Sequence, residues 1–229
     1  MKKLIISAIA LCFAVAQLNA QSPKLQQAIG KTLGEMAAAK TSDEQKAVVN
    51  AFARIADAEP TEWLPRYYTA LNRTFAAYAA MQTDMAAAQE MAKTALDEVK
   101  IAEKIAPMES ELMVLEAFIY QLQLIENPMA NGQKYTPMIL KTLGKAEAID
   151  PKNPRVNYVR GQFTLNMPEF YGGGAAKATP DIEKAAAKFA DFKPTSPIHP
   201  NWGAPQNAAI LKSLQAKKAE TAPTTNGQK

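Results

Sequence analysis

The chain has one cysteine and one histidine in 229 residues, and these two scarcities remove much covalent and metal chemistry at the outset. Cys12 lies in an N-terminal apolar run, so the part that remains after removal of that run has no disulfide and no thiol nucleophile. His199 alone supplies neither a convergent ligand set nor a recognisable nucleophile–base pair. Nothing in the sequence asks for a cofactor or a bound metal. Strand patterning is missing as well: no five-residue stretch alternates cleanly between apolar and polar residues, and Val and Ile are thinly spread. Neither sign of charge dominates. With 26 basic and 22 acidic residues the formal charge is +4, a balance that gives no general pull towards nucleic acid or an anionic membrane. Beyond the N-terminal run, no apolar stretch reaches the ~20 residues that cross a bilayer. No transmembrane span is expected in the mature form.

What is present begins with a secretory pattern. Lys2 and Lys3 precede an apolar run from Leu4 to Ala16 that only Ser7 interrupts, and Gln17, Asn19 and Ala20 follow. Charged start, apolar core and small or polar cleavage zone are the order of a signal peptide. Residues 1–20 are read as that signal, with the mature chain starting at Gln21. Cutting after Ala16 is the alternative, since Ala14-Val15-Ala16 fits the small-x-small rule. Cys12 sits mid-run behind bulky Leu11, the wrong context for lipid attachment. The expected location is therefore the periplasm or the cell exterior.

The rest is rich in Ala, Met, Leu, Lys, Glu and Gln, all good helix formers. Thr41-Ser42-Asp43-Glu44 offers a helix cap with acids in the first turn. Pro60, Pro107, Pro151 and Pro194 each follow an amphipathic run that a proline cannot continue, and they recur at intervals of 43 to 47 residues. Stepping back five residues from each proline meets Ile55, Ala102, Ala146 and Phe189. Eight back are Phe52, Val99, Leu143 and Ala186, and twelve back are Val48, Ala95, Ile139 and Ile182. All are apolar, and the spacing puts each trio on one helix face. The period predicts an all-α, right-handed helical-repeat solenoid over residues 21–219, with about four helical hairpins plus a closing helix. The expected helices are 24–39, 42–58, 62–82, 84–106, 109–126, 134–149, 154–167, 175–192 and 204–219. Ala88, Ala92, Ala95, Ala102 and Ala106 form a small-residue stripe that suits close helix pairing. The helix from Glu109 is apolar nearly all round and belongs in the middle of the array. Residues 220–229 are polar and proline-containing, and read as a disordered tail.

Ile55-Ala56-Asp57-Ala58-Glu59-Pro60, Glu103-Lys104-Ile105-Ala106-Pro107 and Ala146-Glu147-Ala148-Ile149-Asp150-Pro151 resemble the ends of tetratricopeptide repeats. The resemblance covers most of residues 42–194. These units are longer than the family's ~34 residues, and their first helices lack the full Trp-Leu-Gly-Tyr series, so the chain reads as tetratricopeptide-like. Residues 151–203, with Tyr171-Gly172-Gly173-Gly174 and Asn201-Trp202-Gly203, resemble a segment of exported envelope proteins of this kind. The likeness implies an exported scaffold that binds a protein or peptide on an extended helical surface.

Four residues stand out as partner-binding candidates: Arg155, Arg160, Tyr171 and Trp202. Glu109, Glu111, Glu116 and Glu126 form an acidic run with no lysine or arginine among it, and Arg155 and Arg160 sit on the corresponding helix of the next hairpin. Such a pattern marks either a charged groove or complementarity between neighbours, more often the second. Gly172-Gly173-Gly174 with Lys177 lacks the glycine before the lysine that a phosphate loop requires, and reads as a tight turn. Tyr171 and Trp202 are expected close together, covering the end of the fourth hairpin. Glu35, Glu98 and Glu183 read as solvated acids. No residue set carries catalysis, so a non-enzymatic role is expected. The alternative is a periplasmic small-ligand binder or enzyme using the Tyr171, His199 and Trp202 region.

Overall fold

A computed structural model describes residues 22–221, and among the described residues every regular element is helical. The elements are α1 (Pro23–Ala38), α2 (Ser42–Ala58), α3 (Trp63–Ala80), α4 (Met85–Ile105) and α5 (Ser110–Glu126), then α6 (Pro128–Ile149), α7 (Pro154–Asn166), a 3-10 turn (Glu169–Tyr171), α8 (Ala175–Asp191) and α9 (Ala204–Thr221). The expected signal peptide and residues 222–229 of the expected tail lie outside the described residues. α9 itself continues to Thr221.

Local chemistry sets the helix limits. Thr41 and Glu44 form a reciprocal capping box at the start of α2, which satisfies two otherwise orphaned backbone N–H groups. Ser22, Asp84, Asn127 and Asn153 cap α1, α4, α6 and α7 through side-chain oxygens. α1, α6 and α7 each carry proline in their first turn, where its missing N–H costs nothing. Pro60, Pro107, Pro151 and Pro194 all fall just beyond a helix end, as their period predicts.

α6 departs from the expected limits. It begins at Pro128 rather than residue 134 and carries Pro137 within it. Asn127 supplies the cap to the Ala130 N–H, and the Asn131 side chain donates to the Gln123 carbonyl at 2.8 Å. These two contacts seat a stretch whose Asn and Gly content reads locally as loop. α8 likewise tolerates Pro180, and Thr179 Oγ1 donates to the Ala175 carbonyl one turn earlier.

α3 pairs with α4, α5 with α6 and α7 with α8 as antiparallel hairpins. α1 and α2 precede them, and α9 packs on α8. The first helices of successive hairpins, α3, α5 and α7, also touch one another in a row. Of the twelve apolar positions set by the proline period, nine are buried, and Ile55, Ala186 and Phe189 are half-buried. The alanine stripe of α4 is buried at Ala88, Ala92, Ala95 and Ala102. α5 buries residues on all its sides, as befits the helix between two neighbouring hairpins. No helix among the described residues is long and apolar enough to cross a membrane.

Candidate functional site

The row of α3, α5 and α7 is the face on which a helical-repeat protein of this kind would receive an extended partner. In this protein its own chain covers that face. The stretch between α8 and α9 crosses the three helices and is fastened at each. Tyr68 of α3 donates its hydroxyl to the Ile198 carbonyl at 2.8 Å. Trp202 donates Nε1 to Tyr67 Oη at 2.6 Å, and its ring stacks on Phe118 of α5 and meets Phe75 and Tyr158 edge-on. His199 lies edge-on to Trp63. Burial lowers its pKa, although Glu111 opposes that, so the imidazole is neutral at neutral pH.

Arg155 holds this segment from below. Its side chain is 0% exposed, and it forms a two-pronged ion pair with Glu111, Nε to Oε2 at 2.8 Å and Nη2 to Oε1 at 2.7 Å. The same guanidinium donates to the Pro200 carbonyl at 3.0 Å and the Trp202 carbonyl at 3.1 Å, while the Phe192 ring covers its face at 4.5 Å. Asn153 adds a hydrogen bond to Glu111 Oε1 at 2.8 Å. A buried charge persists only when its donors are matched in this way. Tyr67 stays protonated here, because burial and then Glu111 push its hydroxyl well up.

Of the four candidates, Arg155 is therefore sealed inside the molecule, and Arg160 is committed to neighbours. Arg160 bonds Asp181 with Nε and Nη2 and reaches Glu147 with Nη1 at 2.8 Å. Of the acidic run only Glu111 meets one of these arginines, Arg155 of the next hairpin, whereas Arg160 pairs with Asp181 and Glu147 outside the run. Glu98, expected to be solvated, instead pairs with Arg66 at 2.9 Å with both side chains largely covered. Lys100 bonds both Glu103 and Glu116, and Tyr120 donates to Glu116.

Trp202 and Tyr171 do not meet. Trp202 rests against the first half of α7, at Arg155 and Tyr158, whereas Tyr171 lies beyond the opposite end of this 13-residue helix, about 20 Å long. The segment after Pro194 folds back over α3, α5 and α7 instead of passing the hairpin turn, so Trp202 covers the row of first helices and not the hairpin end.

Tyr171 belongs to a built turn. The Met167–Gly174 backbone is closed by hydrogen bonds from Tyr171 and Gly173 to Pro168, from Gly172 to Glu169 and from Gly174 to Thr164. Gly172 and Gly174 have φ of +84° and +90°, and a Cβ on Gly173 would lie 2.0 Å from the Met167 carbonyl oxygen. Only glycine meets all three demands. The turn presents Phe170 and Tyr171, 91% and 61% exposed, as an edge-to-face pair 5.2 Å apart. Phe170 had no sequence signal beyond its place beside the glycines. Among the described residues, no group of three or more His, Asp or Glu side chains is placed to hold a metal ion.

This architecture defines a tetratricopeptide-like helical-repeat protein. Among solved structures, the HusA haemophore from Porphyromonas gingivalis is similar with a TM-score of 0.75 and 25% sequence identity, covering 89% of this chain and 99% of that one. TTC0263, a thermophilic TPR protein of Thermus thermophilus, is similar with a TM-score of 0.59 and 17% identity, covering 88% of this chain and 93% of that one. No family model and no curated protein matches the chain.

Proposed function

We propose that the protein is an exported, non-catalytic carrier of haem or a closely related planar amphiphile. The observation that carries this reading is the end-to-end likeness to a haemophore, which spans 99% of that chain at 25% identity. A second observation supports it: the helix row that would receive a peptide is already covered by the α8–α9 segment through Tyr68, Tyr67 and Arg155. The basic and apolar start of the sequence supports export. Titration of the purified mature chain with haemin, followed in the Soret band, tests the function. A saturable shift at micromolar haemin is expected, and its absence would remove the carrier reading.

A protein-docking role is the second reading, and the Phe170–Tyr171 turn favours it. Large aromatics held rigidly in solvent are frequent interface anchors. Phe170→Ser with Tyr171→Ser should then abolish recovery of a specific partner from envelope extracts while leaving haemin affinity unchanged. Unchanged partner recovery from that variant would remove the docking role from this turn.

A further inference from the structure

Resting on the carrier reading, we infer that the cargo binds in the cleft between α2, α3 and α4, with Arg73 and Lys46 receiving its carboxylates. The cleft has a volume of about 610 Å³, within the roughly 300–1,000 Å³ range of small-molecule sites. Its apolar walls are Val49 of α2, Ala76, Ala79 and Ala80 of α3, and Met91 of α4, and the uncharged side chains of Ser42, Gln45, Asn50, Thr83 and Thr94 complete the lining. Successive small residues on α3 leave a smooth apolar wall, and the Met91 thioether adds a polarisable contact suited to a flat ring system.

Charge supplies the second part. No carboxylate lines the cleft, whereas Arg73 and Lys46 both do. Arg73 is half-buried and has no ion pair or side-chain hydrogen bond among the described residues. That contrasts with Arg66, Arg155 and Arg160, each of which is paired. Lys46 has one partner, Asp43 at 3.6 Å, but both side chains are highly exposed, so the pair is weak and readily exchanged. A planar guanidinium with free donors is matched to a carboxylate. A second cleft, between α1 and α2, is smaller at about 390 Å³ and sets Glu35 and Glu59 beside its lysines and arginine. Mixed charge there gives an anion no net attraction. An apolar floor with two cations at its margin is complementary to haem, a flat apolar ring with two carboxylates on one edge.

The experiment compares haemin binding by wild type, Arg73→Gln/Lys46→Gln and Ala79→Trp. Ala79 is exposed, so the tryptophan fills the cleft without entering the core, and thermal melts verify that both variants fold. Each is expected to lose tenfold or more in haemin affinity. The double variant should also lose discrimination between haemin and its dimethyl ester, which lacks the two charges. Wild-type binding with both variants unaffected would overturn this site and leave the carrier reading standing. Failure of wild type to bind haemin would overturn both.

Discussion

At the scale of single residues, the buried Arg155–Glu111 pair has the most consequence for stability. Desolvating two charges is expensive, and the pair persists because the Pro200 and Trp202 carbonyls and Asn153 complete its hydrogen bonds. Arg155→Met strands the Glu111 carboxylate and frees two carbonyls, so it should cost about 3–5 kcal/mol. Adding Glu111→Leu should recover much of that loss. Urea unfolding of the two variants is the measurement, and equal destabilisation of single and double variants would contradict the account. Charge complementarity between the acidic run and Arg155 was legible in the sequence and is realised at Glu111, but Arg160 takes its acids, Glu147 and Asp181, from elsewhere. The depth of Arg155 was not legible, because the carbonyls that make it tolerable arrive from a segment 45 and 47 residues further on. Glu147 offers a pH test. The hydrogen bond from Arg160, with Lys184 adding to it and burial opposing, holds its carboxyl down at about 2. The folded value lies below the unfolded value of about 4.3, so the stabilisation is present above that value and is lost as pH falls towards 2. Melting temperatures of Glu147→Gln should therefore be lower than wild type at neutral pH and converge with it towards pH 2. A constant difference across that window would refute the assignment.

At the scale of elements, the prolines, caps and apolar periods were readable because each acts within a few residues of itself. Pro60 and the Thr41–Glu44 box mark ends whatever the rest of the chain does. The start of α6 was hidden, since Asn127 and Asn131 become helix-forming only through the bonds they make. Packing between elements gives a direct test in α4. Ala95 is fully buried on a stripe of small residues, and Ala95→Leu should overpack it at a cost of about 1–3 kcal/mol. An unchanged unfolding midpoint would mean that the hairpin is looser than its alanines imply. The turn after α7 answers to a different rule. Gly173→Ala places a methyl against the Met167 carbonyl oxygen, and no side-chain rotation relieves that contact. The turn should open at a cost of about 1–3 kcal/mol, and proteolysis near Phe170 should accelerate. Wild-type cleavage rates would show that the turn accommodates the methyl.

For the whole molecule, the decisive arrangement is that one segment closes the face of α3, α5 and α7 while the cleft of α2, α3 and α4 stays open. α3 serves both. It presents Tyr67 and Phe75 to Trp202, and Arg73, Ala76 and Ala80 to the cleft, because residues three and four apart share one side of a helix. Part of this was out of reach from sequence: Trp202 declares itself as an aromatic beside a proline-rich stretch, but not which helices that stretch folds over. Trp202→Ala separates a structural closure from a recognition surface. Removing the ring deletes contacts with Phe75, Phe118 and Tyr158 and leaves the Tyr67 hydroxyl without its donor. The ring is half-buried, so the loss should fall near the lower end of the about 3–5 kcal/mol typical of a core tryptophan. Haemin affinity should be retained, because Trp202 does not line the cleft. The reverse pattern, an unchanged melting temperature with lost haemin binding, would assign the cargo to the face of α3, α5 and α7 and make Trp202 its contact.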